Sequence, residues 1–467
     1  MELKDLFTNY IDEHEEEMVE DVKRLCRINS VKGAYEVGKP FGEGPYNALM
    51  TAMSMCERYG FSTVNYDDYA IAADMNEKEK ALDILAHMDV VAPGEGWTVT
   101  EPFDPIVKDG RIYGRGTSDD KGPAVAALYA MRAVKELGIP VTKNCRLILG
   151  SDEESGMSDI PHYYAVEEEA PMTFSPDSEF PVTNVEKGQF RLSIRADFDK
   201  EEGEAVLTEL CGGDTINIVP GRAFATLKGL TDEVIKPEAE AVEKETGVKL
   251  SISAVVGGLR IDAEGAGAHA AHPHEGKNAA LALLHLVNRL PLSDCTQVRL
   301  LKELEKLFPY GDCYGKALGA ALEDELSGPT TMSADILKVS GTSIELDVDS
   351  RTAAAATEQN TVEPAVKRIE EAGFECRHRL RGPHVVDGNS DFVKTLLRCY
   401  EDVKGMEGRL ISTGGGTYVH DLKNGVAFGA VGDGTDTNMH GADEFMIIKE
   451  LKEAAVIYAL SISELCR

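Results

Sequence analysis

His87 and Asp89 stand two residues apart in "AHMDVVAPGEGW", directly after the apolar run "ALDIL". A strand that ends in His-x-Asp and passes into a Gly/Pro loop presents an imidazole and a carboxylate at the rim of a sheet. Open α/β folds build their sites there. Alone, this pair is a candidate metal ligand with a carboxylate behind it. Four more segments place acids or a histidine just after apolar runs. "IYGRGTSDDKGP" supplies Asp119 and Asp120, "LILGSDEESG" supplies Glu153 and Glu154, "MTFSPDSEFP" supplies Asp177, and "TNMHGADE" supplies His440. Taken singly, each has an ordinary explanation, because paired acids near turns are usually helix caps or solvated loop residues. Taken together, they match the ligand set for a pair of divalent metals. Imidazole and carboxylate without thiolate suit Zn²⁺, Mn²⁺ or Co²⁺ better than an iron–sulfur or structural zinc centre. In a two-metal site roughly 3.5–4 Å across, one carboxylate must bridge both ions. The neighbours Glu153 and Glu154 can divide the work, one ligating a metal and the other free as a base.

The elements that must position these groups follow from periodicity. Apolar residues from Leu3 to Leu25 predict an opening amphipathic helix over residues 3–28. "ALDILAHMD" reads as a strand, "GPAVAALYAMRAVKELG" as a helix and "NCRLILGSDEES" as a strand leaving into an acidic loop. Near the C-terminus, "DFVKTLLRCYEDV" is helical, "VAFGAVG" is a short buried strand and "IIKELKEAAVIYALSISEL" is a closing helix. Strands alternating with helices imply βαβ units and a mostly parallel sheet. Between these halves the strands become amphipathic, as in "QFRLSIRADF" and "SIELDVDSR", which predicts an inserted α+β domain with antiparallel strands. The likeness of "QFRLSIRADF" to "TSIELDVDSR" suggests that the insert holds two similar halves.

A chain of 467 residues with 43% hydrophobic content can bury a large core in more than one domain. Its 48 Lys+Arg against 81 Asp+Glu give a formal net charge of −33. So acidic a surface repels phosphate backbones and argues against a nucleic-acid partner. Nine cysteines without a C-x-x-C pair fit a reducing compartment and offer no thiolate metal site. With no secretion signal and no apolar run long enough to span a bilayer, the expected location is cytoplasmic, without a membrane partner.

These segments resemble the co-catalytic zinc superfamily of aminoacylases, glutamate carboxypeptidases and dipeptidases. Within it the chain is most similar to the bacterial V-type dipeptidases, the carnosinase-like group that cleaves Xaa-His and other dipeptides. The combined string "HMDVVAPGEGWTVTEPFDP…DGRIYGRGTSDDKGP" carries most of the likeness, which spans the whole chain. One departure is Ala92 before Pro93, where the family has Pro directly after the two valines.

The resemblance implies roles by position. His87 and Asp177 would bind one ion, Glu154 and His440 the other, and Asp119 would bridge them. Asp89 would hydrogen-bond the distal nitrogen of His87, fixing its tautomer. Glu153 would be the general base, taking a proton from a metal-bridging water and delivering it to the leaving amine. Asp120 would stay outside the ligand set and orient its loop. In "GAGAHAAHPHEGKNA", His269 matches the family's lid histidine, with a hydrogen bond to the oxyanion. His272 and His274 are read as ordinary loop residues rather than a second cluster. Arg351 matches the position that recognises a substrate's terminal carboxylate, and Asn217 a lid residue near the same group. The backbone amides of Gly415 and Gly416 would line that end.

The expected architecture is an α/β catalytic domain of the zinc-exopeptidase type, residues 1–184 and 383–467, with an inserted lid over residues 185–382. Many members have a shorter lid and pair through it. A lid of this length implies a monomer in which His269 acts in cis. The implied activity is hydrolysis of dipeptides with a free C-terminal carboxylate, dependent on two divalent ions, zinc first and manganese or cobalt as alternatives. An N-acyl-amino-acid deacylase or desuccinylase with the same metals is the second reading, and a non-catalytic binding protein the third. The intact Glu153 argues against the last.

Overall fold

A computed structural model describes residues 2–467. It divides into two compact units. The first takes the chain up to Val185 with Val385–Ile411 and Gly416–Arg467; the second takes Glu186–His384 and Ser412–Gly415.

The first unit is a mixed α/β structure. Four parallel strands run in the order Asn144–Gly150, Lys80–His87, Met172–Ser175 and Gly425–Ala427. Ala70–Asp74 and then Ser62–Tyr66 extend the sheet antiparallel beyond Asn144–Gly150. Lys80–His87 is buried along all but its first residue, as a parallel strand covered on both faces must be. Helix Lys121–Glu136 is buried from Lys121 through Val134 and packs against the closing helix Ile448–Leu465. Its entry is tight. A Cβ on Gly122 would lie 2.1 Å from the carbonyl oxygen of Thr117, so glycine lets the turn carrying Asp119 close onto the helix.

Two elements differ from their sequence reading. The single helix expected over residues 3–28 is a pair, Leu3–Glu13 and Glu15–Cys26. At the junction the ring Nδ1 of His14 donates to the carbonyl of Tyr10, sharing it with the His14 amide, and the ring stacks on that of Tyr10. "VAFGAVG" is two short strands, Gly425–Ala427 and Ala430–Val431, the second pairing in parallel with Ser178–Glu179.

The second unit is an eight-stranded antiparallel sheet with helices, among them Asp232–Thr246, Ala279–Arg289 and Glu363–Glu371. Gly188–Asp197 alternates buried and wetter positions along its length, one face on the core and one toward water. The two look-alike strands pair directly with each other, Gly188 opposite Thr352 and Asp197 opposite Ser343. All nine cysteines are free thiols. Among the described residues no helix is long and apolar enough to cross a membrane.

Candidate metal centre

Three adjacent parallel strands end at one edge of the first unit's sheet, and each delivers part of the site. His87 closes its strand opposite Gly150, and Glu153 and Glu154 follow just beyond Gly150. Asp177 follows strand Met172–Ser175. Asp119 comes from the turn that opens helix Lys121–Glu136. His440 arrives from far along the chain: strand Phe445–Ile447 pairs with Arg111–Tyr113, and the Gly114 amide donates to the Glu444 carbonyl at 2.9 Å. The His440 loop is held in an uncommon backbone shape, with positive φ at Asn438 (55°), His440 (63°) and Asp443 (56°). The Asp443 carboxylate fixes it by accepting from the amides of Thr98 and Val99 and the Thr98 hydroxyl.

Asp119 stands between two histidines. Its Oδ1 lies 2.9 Å from His87 Nε2, and its Oδ2 lies 2.8 Å from His440 Nε2. Asp177 Oδ2 is 3.8 Å from His87 Nε2, and Glu154 Oε1 is 3.2 Å from His440 Nε2. Two groups of possible ligands result, His87–Asp119–Asp177 and Asp119–Glu154–His440, each with its donor atoms within 4.8 Å of one another. Both groups contain Asp119; neither contains His272 or His274.

The electrostatics favour cations. Burial opposes charge on His87, but hydrogen bonds to Asp119 and Asp89 outweigh it and lift the imidazole well above its ordinary value. Burial likewise opposes charge on Asp119, and its bonds to His440 and His87 hold it well below the usual carboxylate range. Against partial burial, Asp119 and Glu154 raise His440 to about 11. Burial and the Asp119 charge push Asp177 up to about 7 and raise Glu154. Glu153 is held well above its ordinary value by burial and by Asp177, Glu154 and Asp119. By themselves these side chains balance their charge only by loading protons onto imidazoles and acids. Divalent cations would take over that role, and the nitrogen and oxygen donors fit zinc, manganese or cobalt.

Asp89 does more than its sequence reading assigned. His87 Nδ1 lies 3.0 Å from the Asp89 backbone carbonyl and 3.4 Å from Asp89 Oδ1, so carbonyl and carboxylate together fix the ring. The Asp89 carboxylate also accepts the amides of Glu153 (3.2 Å) and Glu154 (3.1 Å). One buried acid thus aligns a histidine and the loop of the two glutamates. Asp120 lies at the start of its helix, where Oδ2 accepts the His87 amide at 3.1 Å. The Glu153 side chain takes no protein hydrogen bond among the described residues, which leaves its carboxylate available.

Sequence reasoning missed the groups that tie these loops together. Arg115 and Glu444, both buried, form an ion pair. Glu444 also accepts from the amides of Gly116 and Ser118, while Arg115 Nη2 reaches the Gly441 carbonyl at 3.1 Å. Asp159 Oδ2 accepts from the Ser151 and Asp152 amides and the Tyr418 hydroxyl, anchoring the loop ahead of Glu153. Arg115 lies within the "GRGTSDD" string and Glu444 ends the "TNMHGADE" string, both already singled out, but nothing in either marked the two as partners.

In the second unit the remaining candidates gather in part. Arg351 Nε donates to Asp349 Oδ2 at 2.9 Å, and Nη1 to the Gly414 carbonyl at 2.7 Å. Asn217, at φ 71°, donates its amide to Asp335 Oδ2 and accepts from the Ala270 amide, so it holds the segment after His269. The Ala271 amide donates to His269 Nδ1 at 3.1 Å, which puts the proton of a neutral ring on Nε2. The Gly415 amide already donates to Thr413 Oγ1. Gly416 belongs to the first unit.

The fold is that of a known group of hydrolases. Human carnosine dipeptidase 1 superposes with a TM-score of 0.61 at 14% identity, covering 100% of this chain and 99% of that one. A di-peptidase from Saccharomyces cerevisiae, Dug1p, gives 0.59 at 13% identity, with 99% of each covered. The chain belongs to peptidase family M20/M25/M40, whose model matches residues 84–464, and is a hydrolase of peptide bonds. Curated relatives include the protein named "Putative dipeptidase YtjP" of Bacillus subtilis (strain 168), 36% identical over 97% of this chain and 98% of its own length. The Beta-Ala-Xaa dipeptidase of Lactobacillus delbrueckii subsp. lactis is 32% identical over 99% and 98%.

Proposed function

We propose that the protein is a metal-dependent dipeptidase that reads a free C-terminal carboxylate and hydrolyses one amide bond. The observation that carries this reading is the placement of Asp119, one oxygen on each histidine. His87 and Asp177 would hold one divalent ion, Glu154 and His440 the second, and Asp119 both. Zinc is the first choice, with manganese and cobalt fitting the same donors. Bound there, such ions supply Lewis acidity toward the scissile carbonyl and lower the pKa of water. Glu153 accepts a proton from the attacking water at a carboxylate oxygen and returns it to the leaving nitrogen. Asp89 holds Glu153 and His87 in register. His269 offers its Nε2 proton to the oxyanion. Arg351 pairs with the substrate carboxylate, beside Asn217 and the Gly415–Gly416 backbone, where Gly415 would have to release Thr413. The relatives' names support a dipeptide substrate, and the nine free thiols support a cytoplasmic setting.

Chelation should abolish turnover, and Zn²⁺, Mn²⁺ or Co²⁺ added singly should restore it to different extents. Against the restored enzyme, a dipeptide should be cleaved roughly 10²-fold or more faster than its N-acetylated form or its C-terminal amide. Faster cleavage of the N-acetylated compound would select the deacylase reading instead.

The insert is long enough to supply His269 within one chain, so the active species is a monomer. Sedimentation should give the 50.6 kDa chain mass. Twice that mass, with activity lost on dilution, would mean that His269 is shared between copies.

A further inference from the structure

We infer that Asp349 is a positioning residue for substrate recognition, acting through Arg351; the inference rests on the reading that Arg351 takes the substrate carboxylate. Asp349 and Arg351 are two apart on strand Ser343–Thr352 and so face the same side of the sheet. Asp349 is fully buried, yet it is an acceptor for three donors. Arg351 Nε donates to Oδ2 at 2.9 Å, while Arg191 Nε and Gln189 Nε2 both donate to Oδ1 at 3.0 Å. Gln189 and Arg191 come from the neighbouring strand, directly opposite Arg351 and Asp349.

Two consequences follow for Arg351. Its guanidinium is held at Nε by Asp349 and at Nη1 by the Gly414 carbonyl. That leaves both hydrogens of Nη2 and one of Nη1 for a ligand, in a fixed plane. Carboxylate recognition by a guanidinium depends on such planar alignment. The second consequence concerns charge. One carboxylate shared by two guanidiniums leaves this group with a net positive charge, so Arg351 is oriented without being neutralised. A private Asp–Arg pair would be equally rigid but would attract an anion less. The nearby buried acid Asp335, which accepts the Asn217 amide, is raised to about 7 chiefly by its burial, so near neutral pH it offsets only part of that charge.

The test compares KM and kcat for a dipeptide and its C-terminal amide across D349N, R351Q, the double variant and R191M. D349N should raise KM for the dipeptide ~10-fold or more, with a much smaller change in kcat, and should narrow the preference for dipeptide over amide. The double variant should be no worse than R351Q, since Asp349 acts through the residue already removed. R191M, which changes a half-exposed side chain on the sheet surface, should raise KM by up to ~5-fold; it decides the matter should D349N fail to fold. If R351Q raises KM while D349N and R191M leave it unchanged, the inference is overturned and the Arg351 reading stands. If R351Q itself leaves the dipeptide-to-amide preference intact, that reading falls and the inference with it. Equal losses for dipeptide and amide in D349N, additive with R351Q, would show a merely structural role.

Discussion

Glu153→Gln should lower kcat by roughly 10²–10⁴-fold while metal content stays near that of the unaltered protein. The amide is nearly the same size as the carboxylate. The backbone amide of Glu153 would still donate to Asp89, and none of the five proposed ligands is touched. What disappears is the capacity to accept a proton. The measurement pairs steady-state turnover on a dipeptide with metal analysis of the same sample. Turnover within a few-fold of the unaltered enzyme would remove Glu153 from the mechanism. Loss of metal along with activity would instead make it part of the ion-holding set.

Arg115→Met should destabilise the protein by about 3–5 kcal/mol, because Glu444 would then be a buried charge without its counter-ion. Both side chains are essentially sealed from solvent, at 1% and 0% exposure, so water cannot stand in for the lost partner. The same change should weaken metal binding. Glu444 braces Gly116 and Ser118 just before Asp119, and Arg115 reaches Gly441 just after His440. Urea denaturation of the metal-stripped protein isolates the stability cost, and competition with a chelator isolates the affinity. The double variant R115M/E444Q should recover part of the lost stability, since no unpaired charge remains. A single-variant cost below about 1 kcal/mol would mean that the pair contributes no more than an exposed one.

The proposed ligands were legible in the sequence for a physical reason. A parallel sheet buried on both faces needs continuous apolar strands, and polar groups directly after such runs emerge at the rim. His87, Glu153, Glu154 and Asp177 all lie at or just beyond strand ends of this kind. What could not be read was pairing across long separations. Arg115 and Glu444 are 329 positions apart, and nothing in either segment names the other. The break at His14 was hidden as well, because apolar spacing continues through it. Asp89 was legible as a partner of His87 but not as the acceptor for the Glu153 and Glu154 amides, a contact that depends on two strands lying side by side.

The order of segments along the chain has a consequence for synthesis. The first unit's sheet accepts Gly425–Ala427 beside Met172–Ser175, and its long buried helix is covered by Ile448–Leu465. Until those segments leave the ribosome, the N-terminal part has an open flank and lacks His440. Most of the second unit, Glu186–His384, emerges as one uninterrupted stretch well before then. The newborn polypeptide can therefore organise its middle before the segment that carries His440 reaches the sheet. A hydrolase whose last proposed ligand follows the whole insert has no complete site until that later segment has been made.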